Sequence, residues 1–152
     1  HAGTLEWHLL DEPGHHQQLL TFVRDLNALY RSEPALFEVD FKAAGFEWLQ
    51  ADRASDSTIA FERKAKDPRR TVIVLMNCSA VSLLKYRVGV PYPVRYRTFF
   101  NSNWSRFGGA DEHQRAEDPL AGETECNGRN FSIQLHLPAL SAIILRPEPP
   151  AP

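Results

Sequence analysis

The sequence predicts a mainly β fold: an antiparallel two-sheet β-sandwich preceded by one amphipathic helix. Three observations carry that reading. In residues 17–36, QQLLTFVRDLNALYRSEPAL, the side chains Leu19, Phe22, Val23, Leu26, Leu29 and Tyr30 recur at the i, i+3, i+4, i+7 spacing of a helix with one apolar stripe. After Pro34 the pattern turns to short alternating runs between turn residues and stays so to the end. Within these, residues 71–77, TVIVLMN, are nearly all apolar and rich in β-branched side chains, as in a central strand buried on both faces.

Residues 1–13 read as a loop with a short apolar knot at Leu5, Trp7, Leu9 and Leu10. The helix follows over 15–31. Asp11 or Gly14 opens it, and Pro34 stops it, because proline lacks an N–H and disfavours helix in the residue before it. A first strand is expected over 36–41, ending at the turn glycine Gly45. Residues 46–51 alternate as a half-buried strand does, and 52–57 are polar turn material. Residues 58–65 are expected to pair with the preceding strand, with a charged hairpin turn at 66–70 before the central run. Strands at 83–90 and 94–101 join at 91–93. Residues 102–129 form a long polar loop, of a kind that is usually functional or mobile in a compact domain. Residues 131–137 and 140–146 are expected to close the domain as a hairpin round Pro138 and Ala139, leaving a disordered tail, PEPPAP, at 147–152. About eight short strands with turn signals between them fit a two-sheet sandwich.

Bulk properties narrow the function. A chain of 152 residues, 43% hydrophobic and 24% charged, fits one domain with a sufficient core. A net charge of −2 and a pI of about 6.3 give no basic footprint for nucleic acid. No run approaches the roughly 20 apolar residues of a membrane span, and no signal-peptide pattern is present, so a cytoplasmic location is expected. Cys78 and Cys126 lie far apart in no metal-binding spacing, and read as free thiols in a reducing cytosol. The chain begins at His1 rather than Met, as a cut piece or a tag remnant does.

Candidate sites each carry a plainer reading. The carboxylate pairs Asp11–Glu12 and Asp111–Glu112 have the chemistry of glycosidase acids, but such acids face each other across a sugar at about 5–10 Å. Neighbours on a loop do not, so solvated charges are favoured. His8, His15 and His16 lack the further ligands of a recognised metal spacing, and no metal or other cofactor is expected. Asn77, Asn103 and Asn130 begin N-x-Ser sequons, which are read as chance matches. Exposed aromatic rings stack on the C–H faces of sugars. Trp104 and Phe107, in the long polar loop, are candidates for sugar contact against the alternative of packing the loop onto the sandwich. Trp48 shares a strand face with Phe46 and is expected in the core.

Five stretches carry a resemblance: LEWHLLD (5–11), VRDLNALYRSEPAL (23–36), GFEWL (45–49), YRVGVP (86–91) and the run from Asn101 to Gly109. Together, in this order and up to about residue 146, they resemble the C-terminal end of the bacterial glycogen (1,4-α-glucan) branching enzymes of the α-amylase superfamily. The resemblance implies that residues 1–34 are the end of a catalytic (β/α)8 barrel, with the helix as its last. Residues 35–146 would be the all-β C-terminal domain. It implies a parent enzyme that cleaves α-1,4-glucan and transfers the segment to a 6-hydroxyl in glycogen biosynthesis. The Asp nucleophile, the Glu acid/base and the second Asp of that chemistry would all precede this chain, so no catalytic residue is assigned here. By the same resemblance Trp7 borders the catalytic end of the barrel and joins Trp104 and Phe107 as a candidate glucan contact. The role expected is to cap and stabilise the barrel. The alternative is an independent carbohydrate-binding module, which should display a planar set of aromatics on one sheet face. A helix stripe deprived of its barrel is expected to be covered by self-association or by the 1–13 loop folding over it.

Overall fold

The computed structural model describes residues 6–11, 13–50, 57–111 and 118–148. One helix, α1 (His15–Ser32), precedes seven strands: β1 (Phe46–Gln50), β2 (Thr58–Lys64), β3 (Thr71–Asn77), β4 (Leu83–Val90), β5 (Tyr96–Asn101), β6 (Phe131–Leu137) and β7 (Ser141–Pro147). Five of them form an antiparallel sheet in the order β1-β2-β3-β7-β5, and β4 pairs with β6 in a second sheet. The expected sandwich is present, with α1 added as a third layer.

The sequence alternation explains the layering. On β3, Ile73 and Leu75 point between the sheets, where they join Val88, Val90, Ile133, Leu135, Leu137, Ile143 and Leu145. Val72 and Val74 point the other way and pack with Phe100 and Ile144 beneath Phe22 and Leu29 of the helix. A strand in the middle layer of three has no polar face, hence its continuous apolar run. Val72 is fully buried and Val74 is 8% exposed, as an inner strand requires.

The entry to the sheet differs from expectation. Residues 36–41 form no strand; Pro34–Leu36 is a single turn of 3-10 helix, and the chain then turns to Gly45. Glu33 caps that turn, its carboxylate accepting from the Ala35 amide at 3.4 Å. The segment is held to the β2–β3 edge by polar contacts in place of a ladder. Arg63 donates to the Leu36 carbonyl and to Asp40, and the Lys66 amide donates to Glu38. Phe41 lies fully exposed, so its place in the alternating pattern had no packing meaning. Gly45 closes the turn because a Cβ there would stand 2.2 Å from the Val39 carbonyl oxygen.

β1 runs to Gln50, and the expected polar turn at 52–57 lies, except for Ser57, outside the described residues. Trp48 is not in the core: it is 56% exposed on the outer face of this edge strand. A bulge between Trp48 and Gln50 shifts the register, so that Leu49 and Gln50 are both buried instead. Trp48 stays on the outer face with Phe46 and Phe61, beyond the residues that α1 covers.

β6 and β7 do not form a hairpin; they belong to different sheets, and residues 138–140 carry the chain across the sandwich. Asn77 pins that crossing by donating to the carbonyls of Val81 and Pro138, and Ser141 donates to Pro138 as well. Leu140 takes a positive φ of 48° to make the turn. β7 is buried along most of its length between β3 and β5, a place a terminal hairpin strand would not occupy. It extends through Pro147, and the Glu148 amide donates to Arg95, so the expected tail begins later than 147; residues 149–152 lie outside the described residues.

Candidate functional site

Four regions gather the side chains that chemistry or recognition would need. The first is the aromatic contact between the long loop and the helix. A 3-10 turn, Ser105–Phe107, sets Phe107 edge-on to Phe22 at 5.4 Å and beside Phe100 at 5.5 Å. Gly109 allows this close turn, since a Cβ there would meet the Asn103 carbonyl oxygen at 2.0 Å. Phe107 therefore packs the loop onto the middle sheet and α1. Trp104 lies beside it, half-buried, with one face covered by the Arg106 guanidinium at 4.4 Å. Arg106 also reaches Asp25 of the helix at 3.5 Å.

Trp7 stands apart, 67% exposed in a 3-10 turn, Trp7–Leu10, that precedes α1. Of the expected apolar knot, Leu9 and Leu10 are half-buried, and Leu5 lies outside the described residues. Glu12 and Glu112 also lie outside them, so neither sequence-adjacent carboxylate pair is described as a pair. His15 and His16 are exposed, and no cluster with metal-binding geometry occurs among the described residues. Asn77 is buried with its amide engaged, and Cys78 and Cys126 are free thiols.

The second region is a charged network at one end of the sandwich, which sequence reasoning missed. Glu62 on β2 points inward and is 2% exposed. It accepts from Thr71 at 2.7 Å and from Arg129 at 2.9 Å. Arg129 and Lys64 also bind Glu47 on the neighbouring strand. The Lys64 hydrogen bond, with Arg129 beside it, holds the Glu47 carboxyl below its usual range. Both carboxylates share the same two cations, an arrangement that fixes the loop carrying Arg129. Nearby, burial pushes the Tyr96 hydroxyl well above the ordinary tyrosine range; it accepts from the Tyr92 amide and donates to the Tyr92 carbonyl.

The third region is a cleft of about 760 Å³ among four chain segments. Glu33 and Arg146, the 67–70 turn, and Tyr92, Pro93, Val94 and Pro147 line it, with Arg97 exposed beside them. Asp67 and Arg69 pair at 3.2 Å, and this hydrogen bond lowers the Asp67 pKa. Residues 91–97, PYPVRYR, held the signal in the sequence: two tyrosines and two arginines round a proline-bounded bend.

The fourth is the outer face of α1. Leu19, Leu20, Val23, Leu26 and Tyr30 are between 37% and 61% exposed, while Phe22 and Leu29 face the sheet. The helix thus carries two stripes about 100° apart, one buried and one open. Of the loop before it, residues 6–11 leave the open stripe uncovered, although Gln17 donates to the Leu10 carbonyl at 2.5 Å. No helix among the described residues is long and apolar enough to cross a membrane.

Comparison with known proteins fits this geometry. The chain is 41% identical over 148 residues to the 1,4-alpha-glucan branching enzyme GlgB of Rubrobacter xylanophilus, covering 97% of the chain and 20% of that enzyme. It is 40% identical over 144 residues to the branching enzyme of Synechococcus elongatus, covering 94% of the chain and 18% of the relative. Against the Myxococcus xanthus enzyme it is 37% identical over 147 residues, covering 97% and 20%. The chain thus spans about a fifth of the length of the curated relatives it matches. Residues 48–148 match the alpha amylase C-terminal all-beta domain, over β1 to β7 apart from the first two residues of β1. The chain belongs to that domain family.

Proposed function

We propose that this chain is the C-terminal part of a glycogen branching enzyme. The parent transfers cleaved α-1,4-glucan segments to 6-hydroxyls, and this part caps and stabilises the catalytic barrel without supplying catalytic residues. The observation that carries the reading is identity of about 40% to branching enzymes over nearly the whole chain. Residues 1–34 are then the end of the barrel, and 35–146 the domain that follows it. The open stripe of α1 supports this division. A helix with a sheet on one side and a barrel on the other needs two apolar faces, and α1 has two. The occupant of the open face is the remainder of the parent, which accounts for about four fifths of the relatives' length.

The parent works in the cytoplasm on glycogen. Within this part, Trp7 is the candidate glucan contact with a ring free to stack, being 67% exposed. Trp104 offers one face, and Phe107 serves mainly to pack the loop. The rival reading, an independent carbohydrate-binding module, draws on the cluster of Phe46, Trp48 and Phe61 on one sheet face. Trp48 meets the other two rings edge-on, at interplanar angles of 85° and 80°, so the three form no flat platform.

The test is expression of the protein read from the full frame upstream of His1. It is expected to form α-1,6 linkages on amylose, and removal of residues 35–146 is expected to lower its thermal stability and yield of folded enzyme. A full-length protein that forms no such linkages ends the reading.

A further inference from the structure

Resting on that reading of the parent, we propose that the cleft lined by Glu33, Tyr92, Pro93, Arg97, Arg146 and Pro147 binds a stretch of neutral α-1,4-glucan chain on this domain itself. Its volume of about 760 Å³ is that of a small-molecule site, and its lining is mostly apolar. Tyr92 gives the lining a ring that is already fixed. Its hydroxyl donates to the Pro68 carbonyl at 2.8 Å, and its amide donates to the Tyr96 hydroxyl at 3.2 Å. A ring held in place loses little freedom when a sugar face settles on it.

The polar groups suit hydroxyls better than an anion. Glu33 is buried, with its side chain 4% exposed, and its two described contacts are long: 3.4 Å from the Ala35 amide and 3.5 Å to Arg146. A carboxylate has about four acceptor positions, so capacity remains for donors from a ligand. Arg70 and Arg97 are exposed at the rim, and no ion pair involves either among the described residues. Their planar forks can donate to adjacent ring hydroxyls. Four arginines face three carboxylates here, and Arg69 is already engaged by Asp67. A phosphate in the cleft would stand against the Glu33 carboxylate. A glucose unit meets the same wall with hydroxyls that donate to Glu33 and accept from arginine.

The experiment is an NMR titration of the 15N-labelled 152-residue chain with maltoheptaose, and separately with inorganic phosphate. Saturable shifts are expected at the amides of 67, 69, 70, 92, 94–97, 146 and 148 with maltoheptaose. Arg97→Ala and Tyr92→Ala should each weaken binding about tenfold. Arg97 is exposed, so its variant keeps the fold; a thermal melt of each variant confirms it. Leu84→Ala, on the other sheet, should bind as the parent chain does. The proposal is overturned by absence of saturable shifts with maltoheptaose, or by binding that Arg97→Ala and Tyr92→Ala leave unchanged. It is equally overturned if the shifts centre on Trp7 or Trp104, or if phosphate alone saturates the cleft amides. Failure of the parent reading appears elsewhere, as a full-length protein that makes no α-1,6 linkages.

Discussion

A carboxylate buried as Glu62 is, with its side chain 3% exposed, is tolerable only while Arg129, Lys64 and Thr71 meet it. Glu62→Ala leaves Arg129 and Lys64 with Glu47 alone, takes a partner of the buried Thr71 hydroxyl and opens a hole beside Tyr96, so it is expected to cost about 3 kcal/mol in urea unfolding. Lys64→Ala touches a partly exposed pair and should cost under about 1 kcal/mol. Equal losses would mean the network is not organised round Glu62. The same groups set a pH dependence. Glu47 has its folded pKa lowered below the unfolded 4.5 by the Lys64 hydrogen bond and Arg129. Its contribution is present above 4.5 and lost as pH falls through the folded value, so Glu47→Gln should flatten the acid limb of stability against pH. At the alkaline end the sign reverses. Tyr96 has its folded pKa raised by burial, so above about 10 the unfolded chain releases a proton that the folded chain keeps. Stability should fall with rising pH there, and Tyr96→Phe, though weaker at neutral pH for want of its bonds to Tyr92, should lack that step.

The helix shows the same separation of roles one scale up. Phe22 lies between Phe100 and Phe107, so Phe22→Ala is expected to destabilise the chain by about 3 kcal/mol, the low end for a phenylalanine because the site is only half-buried. Leu19, Val23 and Leu26 touch no such cluster, and charged substitutions there should leave the melting temperature nearly unchanged. They should act instead on association. Each fully buried apolar side chain is worth about 1.5–3 kcal/mol, so the isolated chain is expected to self-associate through this stripe. Sedimentation velocity is expected to show dimers or larger species, reduced to monomer by Leu19→Lys with Val23→Glu. A wild-type chain that stays monomeric at high concentration would remove the case for the stripe as an interface. The helix and the strand positions were legible because period and turn residues are local. The 36–41 segment was not: its apolar alternation is that of a strand, but Glu33 caps the turn that opens it, and Glu38 and Asp40 tie it to β2 and the following turn by side chains. The β6–β7 crossing was not either, since a hairpin and a sandwich arch use the same short turn, and the choice is made by Asn77, about 60 residues away. Trp48 was misplaced because alternation puts Phe46 and Trp48 on one face without saying which layer that face meets, and pairing with Phe61 sets it on the outer side of the edge strand.

At the scale of the whole molecule, residues 91–97 hinted at the cleft but the sequence could not show it whole, because it is lined by four segments that only the folded chain assembles. Trp104 and Phe107 were legible as aromatics in a polar loop, but the helix that covers Phe107 lies about 80 residues earlier. The last prediction concerns activity: the isolated chain should form no α-1,6 linkages. A retaining transglycosylase needs two carboxyl groups about 5–5.5 Å apart across the scissile bond, one as nucleophile and one as acid/base. Each buried carboxylate described here faces arginine or lysine. Glu62 is saturated by Arg129, Lys64 and Thr71, and Glu33 caps a turn and faces Arg146. The reaction also needs a donor chain held in attacking geometry, since positioning supplies about 7–11 kcal/mol of the barrier reduction. The interior of this sandwich is filled by Ile73, Leu75, Val88, Ile133, Leu137 and Leu145, which leaves the glucan no path between the sheets. In the cleft over Tyr92, Asp67 is paired with Arg69 and Glu33 faces Arg146. An iodine-stain assay on amylose with purified chain should therefore match the blank, while the full-length protein shifts the stain. Branching by the isolated chain would place catalytic carboxylates within these residues and undo the division between barrel and β domain.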